Sequence, residues 1–198
     1  MSVVAVFSLT FPLGGVLPDL ATADELEDYL QTTVDADLAA MVLAQASAAV
    51  RTHLRQDVSL VTDDEITLLG GGTSIALPQF PVSALAVELD AVEFTAWRVE
   101  DANLLVRTDG AAWPTTVDVV YTHGWDPVPE DVKRKVLELA GQLVSNPTAL
   151  RTKSESIDDY TYTDTALTAE EQAVLDSADL EPYRAHVKSV VVTLTGDA

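Results

Sequence analysis

The chain has 198 residues, of which 47 % are apolar and 22 % charged. This is a globular composition, with room for one domain that buries about 70 % of its unfolded surface. Eleven Lys and Arg against 32 Asp and Glu leave a formal charge of −21, which argues against gripping phosphates, because counterion release needs clustered cations. The absence of cysteine excludes disulfides, thiol nucleophiles and cysteine-ligated metals.

The start, MSVVAVFSLTFPLGGVLPDL, is apolar but lacks a basic leading region and is broken by Pro12, Gly14 and Gly15. It therefore reads neither as a signal peptide nor as a membrane span, which needs about 20 continuous apolar residues. We expect residues 1–19 to be an arm, flexible or docked, on a chain made in the cytoplasm. Thr22 with Glu25 is a capping box and opens a short helix through Leu30. A longer, alanine-rich helix follows over 36–55, with an apolar stripe of Leu38, Met41, Val42, Ala46, Ala49, Val50, His53 and Leu54. Arg51 and Arg55 in its last turns suit the negative end of the dipole.

From Val58 the period changes to two. Strands are expected over 58–62, 66–69, 73–77, 85–89, 92–94, 97–99, 104–107 and 117–122. Gly70-Gly71-Gly72 reads as a hairpin turn between the second and third, and no Gly-Lys-Ser/Thr follows it to suggest phosphate binding. The β-block ends at His123-Gly124-Trp125-Asp126. Pro127 and Pro129 then keep the chain extended, and Pro129 suits the first position of a helix. Val132, Val136, Leu137, Ala140, Leu143 and Val144 give that helix, 130–145, a buried stripe, and Asn146-Pro147 stops it.

Residues 146–166 show no strong periodicity; a loop of that length in a compact domain is usually functional or mobile. A last short helix begins near Leu167 and closes at Pro182. The run VKSVVVTL, 187–194, is strand-like with no obvious internal partner. The expected fold is α+β: a small helical bundle core with a β-rich insertion between the second and third main helices, then a C-terminal strand-like tail. The divisions are an arm over 1–19, a domain over 20–181 with its insertion at about 58–122, and a tail over 182–198.

No pattern of catalysis is legible. His53 sits on a helix stripe and reads as packed, and His123 reads as bonding the turn backbone. His186 lies in the tail. No His-x-x-x-His, His-x-Glu or Gly-x-Ser-x-Gly occurs, and acidic groups such as Asp63-Asp64-Glu65 and Asp158-Asp159 read as solvated turns. No metal or cofactor is expected.

The order of acidic short helix, alanine-rich helix, β-insertion and YTHGWDPVPEDVKRKVLELAGQLVSNPTALRTKSESIDDYTYTD resembles the head-to-tail connector proteins (adaptor, or head-completion) of long-tailed bacteriophages, in particular those infecting high-GC Gram-positive hosts. His123-Gly124-Trp125, Pro129 to Lys133, Asn146-Pro147 and Ser154 to Tyr160 carry the likeness, with LPQFPVSALAVEL at 77–89 fitting the family's β-insertion. Roughly residues 20–175 are covered. The resemblance implies a non-enzymatic virion subunit of the neck, between capsid and tail. Such subunits form a ring, commonly twelvefold, that binds the portal protein and the stopper or tail-terminator protein. Genomic DNA passes through the ring without specific binding.

A ring of twelve such subunits would carry about −250 formal charges, some of them repelling the duplex. Tyr160 and Tyr162 in the 146–166 loop suit a partner contact, since Tyr joins contact area to a polar tip. Val190, Val191, Val192 and Leu194 suit strand addition to a partner, or else to the protein's own β-block. Two other readings compete. One is a small acidic enzyme or metal-binding protein with its site in 146–166, which a paired His and carboxylate in the fold would favour. The other is a different neck or tail accessory protein, such as a tail terminator.

Overall fold

The structure is a computed structural model and describes residues 17–90, 92–145, 153–157, 160–164 and 168–185. Helix α1 (Ala23–Leu30) starts at Thr22, whose hydroxyl accepts from the Glu25 N–H while the Glu25 carboxylate accepts from the Thr22 N–H. This capping box is the one read from the sequence. Helix α2 (Ala36–Leu54) is capped by Asp35, whose carboxylate accepts from the N–H groups of Asp37 and Leu38. Helix α3 (Glu130–Ser145) buries Val132, Val136, Leu137, Leu139, Ala140 and Leu143. It packs on α1, α2 and the short α4 (Ala169–Leu175), which has a capping box of its own from Thr168 to Glu171. The resulting core joins Leu26, Val42, Val50 and Leu54 to the α3 stripe, Val174 and Leu180.

Between α2 and α3 the chain makes two sheets. One has the order β1 (Val61–Leu69), β7 (Thr116–His123), β3 (Val82–Leu89), β4 (Val92–Glu93), all antiparallel. The other has the order β2 (Ser74–Ala76), β6 (Leu104–Arg107), β5 (Trp97–Glu100). The sheets share a second core of Val87, Val117, Val119 and Tyr121 from the first, Ile75 and Leu105 from the second, and Trp113 from the loop before β7. The α+β class is as expected, with the β-block lying between the second and third helices.

Several expectations need correction. Residues 58–62 and 66–69 are not two strands. One strand, β1, runs through Asp63-Asp64-Glu65, where Asp63 takes a positive φ of 53° in a bulge that shifts the register to β7 by one residue and lets the pairing continue. Gly70-Gly71-Gly72 is not a hairpin turn, since β1 pairs with β7 and β2 with β6. The glycines carry the chain from one sheet to the other, pressed against the loop before β7: a Cβ on Gly70 would lie 1.9 Å from the Pro114 carbonyl oxygen. Met41 is not in the core stripe but is 48 % exposed, because α2 turns the arc through Ala39, Val42, Leu43, Ala46 and Val50 inward. Residues 146–166 include a two-stranded hairpin, β8 (Lys153–Ile157) with β9 (Tyr160–Asp164). KSESI and YTYTD contrast too little in hydropathy to show a period, although Thr, Tyr and Ile favour strands. Pro182 does not close the last α-helix; α4 ends at Leu175 and Pro182 lies inside a 3-10 helix, Ala178–Tyr183. The valine-rich run 187–194 and His186 lie outside the described residues.

Candidate functional site

The segment with the densest polar chemistry is the junction where the chain leaves α2, enters β1, and returns from β7 to α3. Its frame is set by the His-Gly-Trp turn. Gly124 adopts φ +88°, and a Cβ there would lie 2.3 Å from the Ser59 carbonyl oxygen and 2.8 Å from its carbon. Only glycine lets the two strands approach this closely. The approach allows the Trp125 N–H to donate to the Val58 carbonyl at 2.8 Å and the Gly124 N–H to the Pro81 carbonyl at 3.1 Å. The Trp125 ring then stands edge-on to Phe80 at 5.7 Å and to Tyr183 at 5.5 Å, joining the β-block to the terminal 3-10 helix.

His123 is buried, with 1 % of its surface exposed. Its Nε2 lies 3.2 Å from Asp64 Oδ2, and its ring lies 4.7 Å from that of Tyr121, two residues back on β7. A side-chain carboxylate, rather than the turn backbone, is therefore its partner, which corrects the sequence reading. His123 Nδ1 and the Tyr121 hydroxyl are both buried without a hydrogen bond of ordinary geometry. Burial, with the charges of Asp64 and Asp57 close by, raises the Tyr121 phenol above its usual range, so it stays neutral. Asp57 is pushed up by burial, partly offset by His123 and Arg51.

Arg51 reaches across from α2. Its Nε donates to the Asp57 carbonyl at 2.9 Å and its Nη2 to Ser59 Oγ at 3.3 Å and to the Pro18 carbonyl. Burial lowers its pKa, while Asp57 and Asp19 hold it up. Buried Gln56 donates to the Tyr183 carbonyl at 2.6 Å and accepts from the Phe80 N–H at 3.1 Å. Buried Gln79 accepts from the Asp57 N–H at 3.0 Å. Each long polar side chain here thus closes a backbone gap between elements.

Sequence reasoning singled out His123-Gly124-Trp125 but missed Asp64, Asp57 and Arg51. Asp64 was hidden because Asp63-Asp64-Glu65 looks like a turn. The alternation Val117, Val119, Tyr121, His123 along β7 was the signal that His123 faces inward. A scan against models of protein families finds no match to this chain, and a search of curated proteins finds none either.

The His123–Asp64 pair has the makings of a general base, with the His123 ring 1 % exposed and the Asp64 side chain 21 % exposed. It lies at the junction, not in 146–166. Among the described residues, no group of three or more His, Asp or Glu is placed to hold a metal ion. Nor is any described helix long and apolar enough to cross a membrane. Described cations are mostly committed within the chain. Lys133 pairs with Glu25 at 2.8 Å, Arg134 with Asp179 at 2.8 Å, Lys135 with Glu138 at 3.0 Å, and Arg107 with Asp109.

Of the expected partner-binding residues, Tyr160 and Tyr162 lie on β9, in register with Ile157 and Glu155 of β8. Their hairpin is a sheet of its own, joined to neither of the other two. Val190, Val191, Val192 and Leu194 lie outside the described residues.

Proposed function

We propose that this chain is a structural subunit of a phage neck. In this reading it forms a ring that joins the portal to the stopper or tail and continues the DNA channel. The observation that carries the reading is the sequence likeness centred on His123-Gly124-Trp125 and the helix after it. The geometry gives each residue of that motif an architectural reason. His123 pairs inward with Asp64, Gly124 permits the close approach to Ser59, and Trp125 packs the helices onto the β-block. A motif used to hold a fold together suits a ring subunit better than an enzyme. The charge supports the same reading: −21 overall, with Arg107, Lys133, Arg134 and Lys135 held by carboxylates of the same chain, leaves little to grip a passing duplex.

Electron microscopy of assembled particles, with the subunit labelled, tests the proposal. The label should form a collar between portal and tail. Label in the capsid shell or at the tail tip would overturn it, and a purified chain that stays monomeric and never binds portal would favour an accessory role such as tail terminator.

A further inference from the structure

The solvent face of α2 is unlike that of the other helices. Helices α1, α3 and α4 present Asp24 and Asp28, then Glu130 and Asp131, then Glu170 to solvent. Between Asp37 and Arg51, α2 carries no charged residue at all, and its exposed face is Ala40, Met41, Ala44, Ala48 and Thr52. Met41 is 48 % exposed there. On a chain of −21, this helix face is uncharged and carries a half-exposed methionine, a surface that an uncharged segment could cover without losing an ion pair.

The described chain begins alongside this face. The Leu20 N–H donates to Ser47 Oγ at 3.0 Å in a buried contact, and the Pro18 carbonyl accepts from Arg51. Ser47 and Arg51 are the helical neighbours, three residues on, of Ala44 and Ala48. Residues 17–20 thus run along the border of the uncharged face. The sixteen residues before them, MSVVAVFSLTFPLGGV, include no charged side chain either. Sixteen residues span up to about 55 Å, against about 18 Å for the stretch of α2 from Ala40 to Thr52.

We propose that residues 1–16 dock on the α2 face formed by Ala40, Met41, Ala44 and Ala48. One argument favours this occupant over a second copy of the chain: a short tether gives the segment an effective concentration in the millimolar range, well above ordinary protein concentrations.

The absence of cysteine allows a direct test, because Ala48→Cys supplies a unique thiol. Its rate of reaction with a maleimide would be compared between the whole chain and one lacking residues 2–16. The whole chain should react slower by about fivefold or more, at every protein concentration, as expected for a site exposed only when the cover lifts. A thiol at Val92, which is 67 % exposed on the remote β4, should react alike in both. Should the shortened chain fail to fold, Val4→Asp with Phe7→Asp in the whole chain replaces it, with the same acceleration expected. Equal rates at position 48 would overturn the proposal. So would protection that appears only as protein concentration rises, since a second copy would then be the cover.

Discussion

Replacing Gly124 by alanine should be a damaging substitution in the β-block, and its cost can be built from parts. The first part is conformational: Gly124 has φ +88°, and a non-glycine residue held at positive φ costs about 1–2 kcal/mol. The second is steric. The new Cβ would meet the Ser59 carbonyl oxygen at 2.3 Å and the Val58 carbonyl oxygen at 3.0 Å, and backbone atoms give way only by moving the strand. That movement breaks the 2.8 Å bond from the Trp125 N–H to Val58 and leaves buried backbone groups unpaired, for about 1–3 kcal/mol more. The sum is about 2–5 kcal/mol, or a fall in Tm of roughly 5–15 °C for a chain of this size.

Two other glycines separate the parts. Gly110 has φ +75° with open space around its missing Cβ, so Gly110→Ala reports strain alone. Gly70 is not among the positive-φ glycines, but its Cβ would lie 1.9 Å from the Pro114 oxygen, so Gly70→Ala reports the clash alone. Urea unfolding followed by tryptophan fluorescence would give all three values. If Gly124→Ala costs no more than Gly110→Ala, the close approach to Ser59 is not what holds the junction, and the reasoning fails.

Leu137→Ala and Val136→Ala should each cost about 2–4 kcal/mol, since both side chains are buried between α3 and its neighbours; urea midpoints check this, and losses under about 0.5 kcal/mol would mean the stripe is not core. The Lys133 ammonium holds Glu25 below its usual 4.5, so that carboxylate's stability is present above 4.5 and lost as pH falls through the lower folded value. Glu25→Gln should therefore flatten the acid limb of stability by a few tenths of a kcal/mol, and less in high salt. Asp57 has the opposite sign: burial raises its folded pKa, so its contribution is full at low pH and lost as pH rises through that value. Asp57→Asn should therefore raise the urea midpoint at pH 7 relative to the parent, with the gain vanishing near pH 3. The hairpin 153–164 should exchange its amide hydrogens faster in the free subunit than in the assembly, and equal protection in both states would count against an interface there.

The helices were legible because local signals mark where they begin and which face is apolar: the Thr22–Glu25 capping box opens α1, and the stripe after Pro129 is the buried face of α3. The end of the last helix was not legible, because Pro182 belongs to a 3-10 helix beyond α4. The strands were legible as segments but not as partners, because pairing depends on long-range register that a local window does not hold. Gly70-Gly71-Gly72 has the composition of a hairpin turn, and only the pairing of β1 with β7 across the whole insertion reveals a change of sheet. Met41 was misplaced since an alanine-rich helix offers few large residues to fix the inward arc. At the junction, His123 was visible but its partner was not, as Asp64 comes from a strand 59 residues away.

The return of the chain to its point of departure has a further consequence. Ser59 bridges Trp125, and Val61 lies opposite His123, so the excursion from α2 to α3 closes on itself. The entropy of closing such an excursion grows only with the logarithm of its length, about 0.6 kcal/mol per doubling. Residues added or trimmed at its far end, around Gly110, would therefore scarcely register in the equilibrium of the helical core. Kinetics would carry the record instead. The ends must find each other across the whole insertion before β1 and β7 can zip, so this pairing should be the slow step, and the helices the fast one.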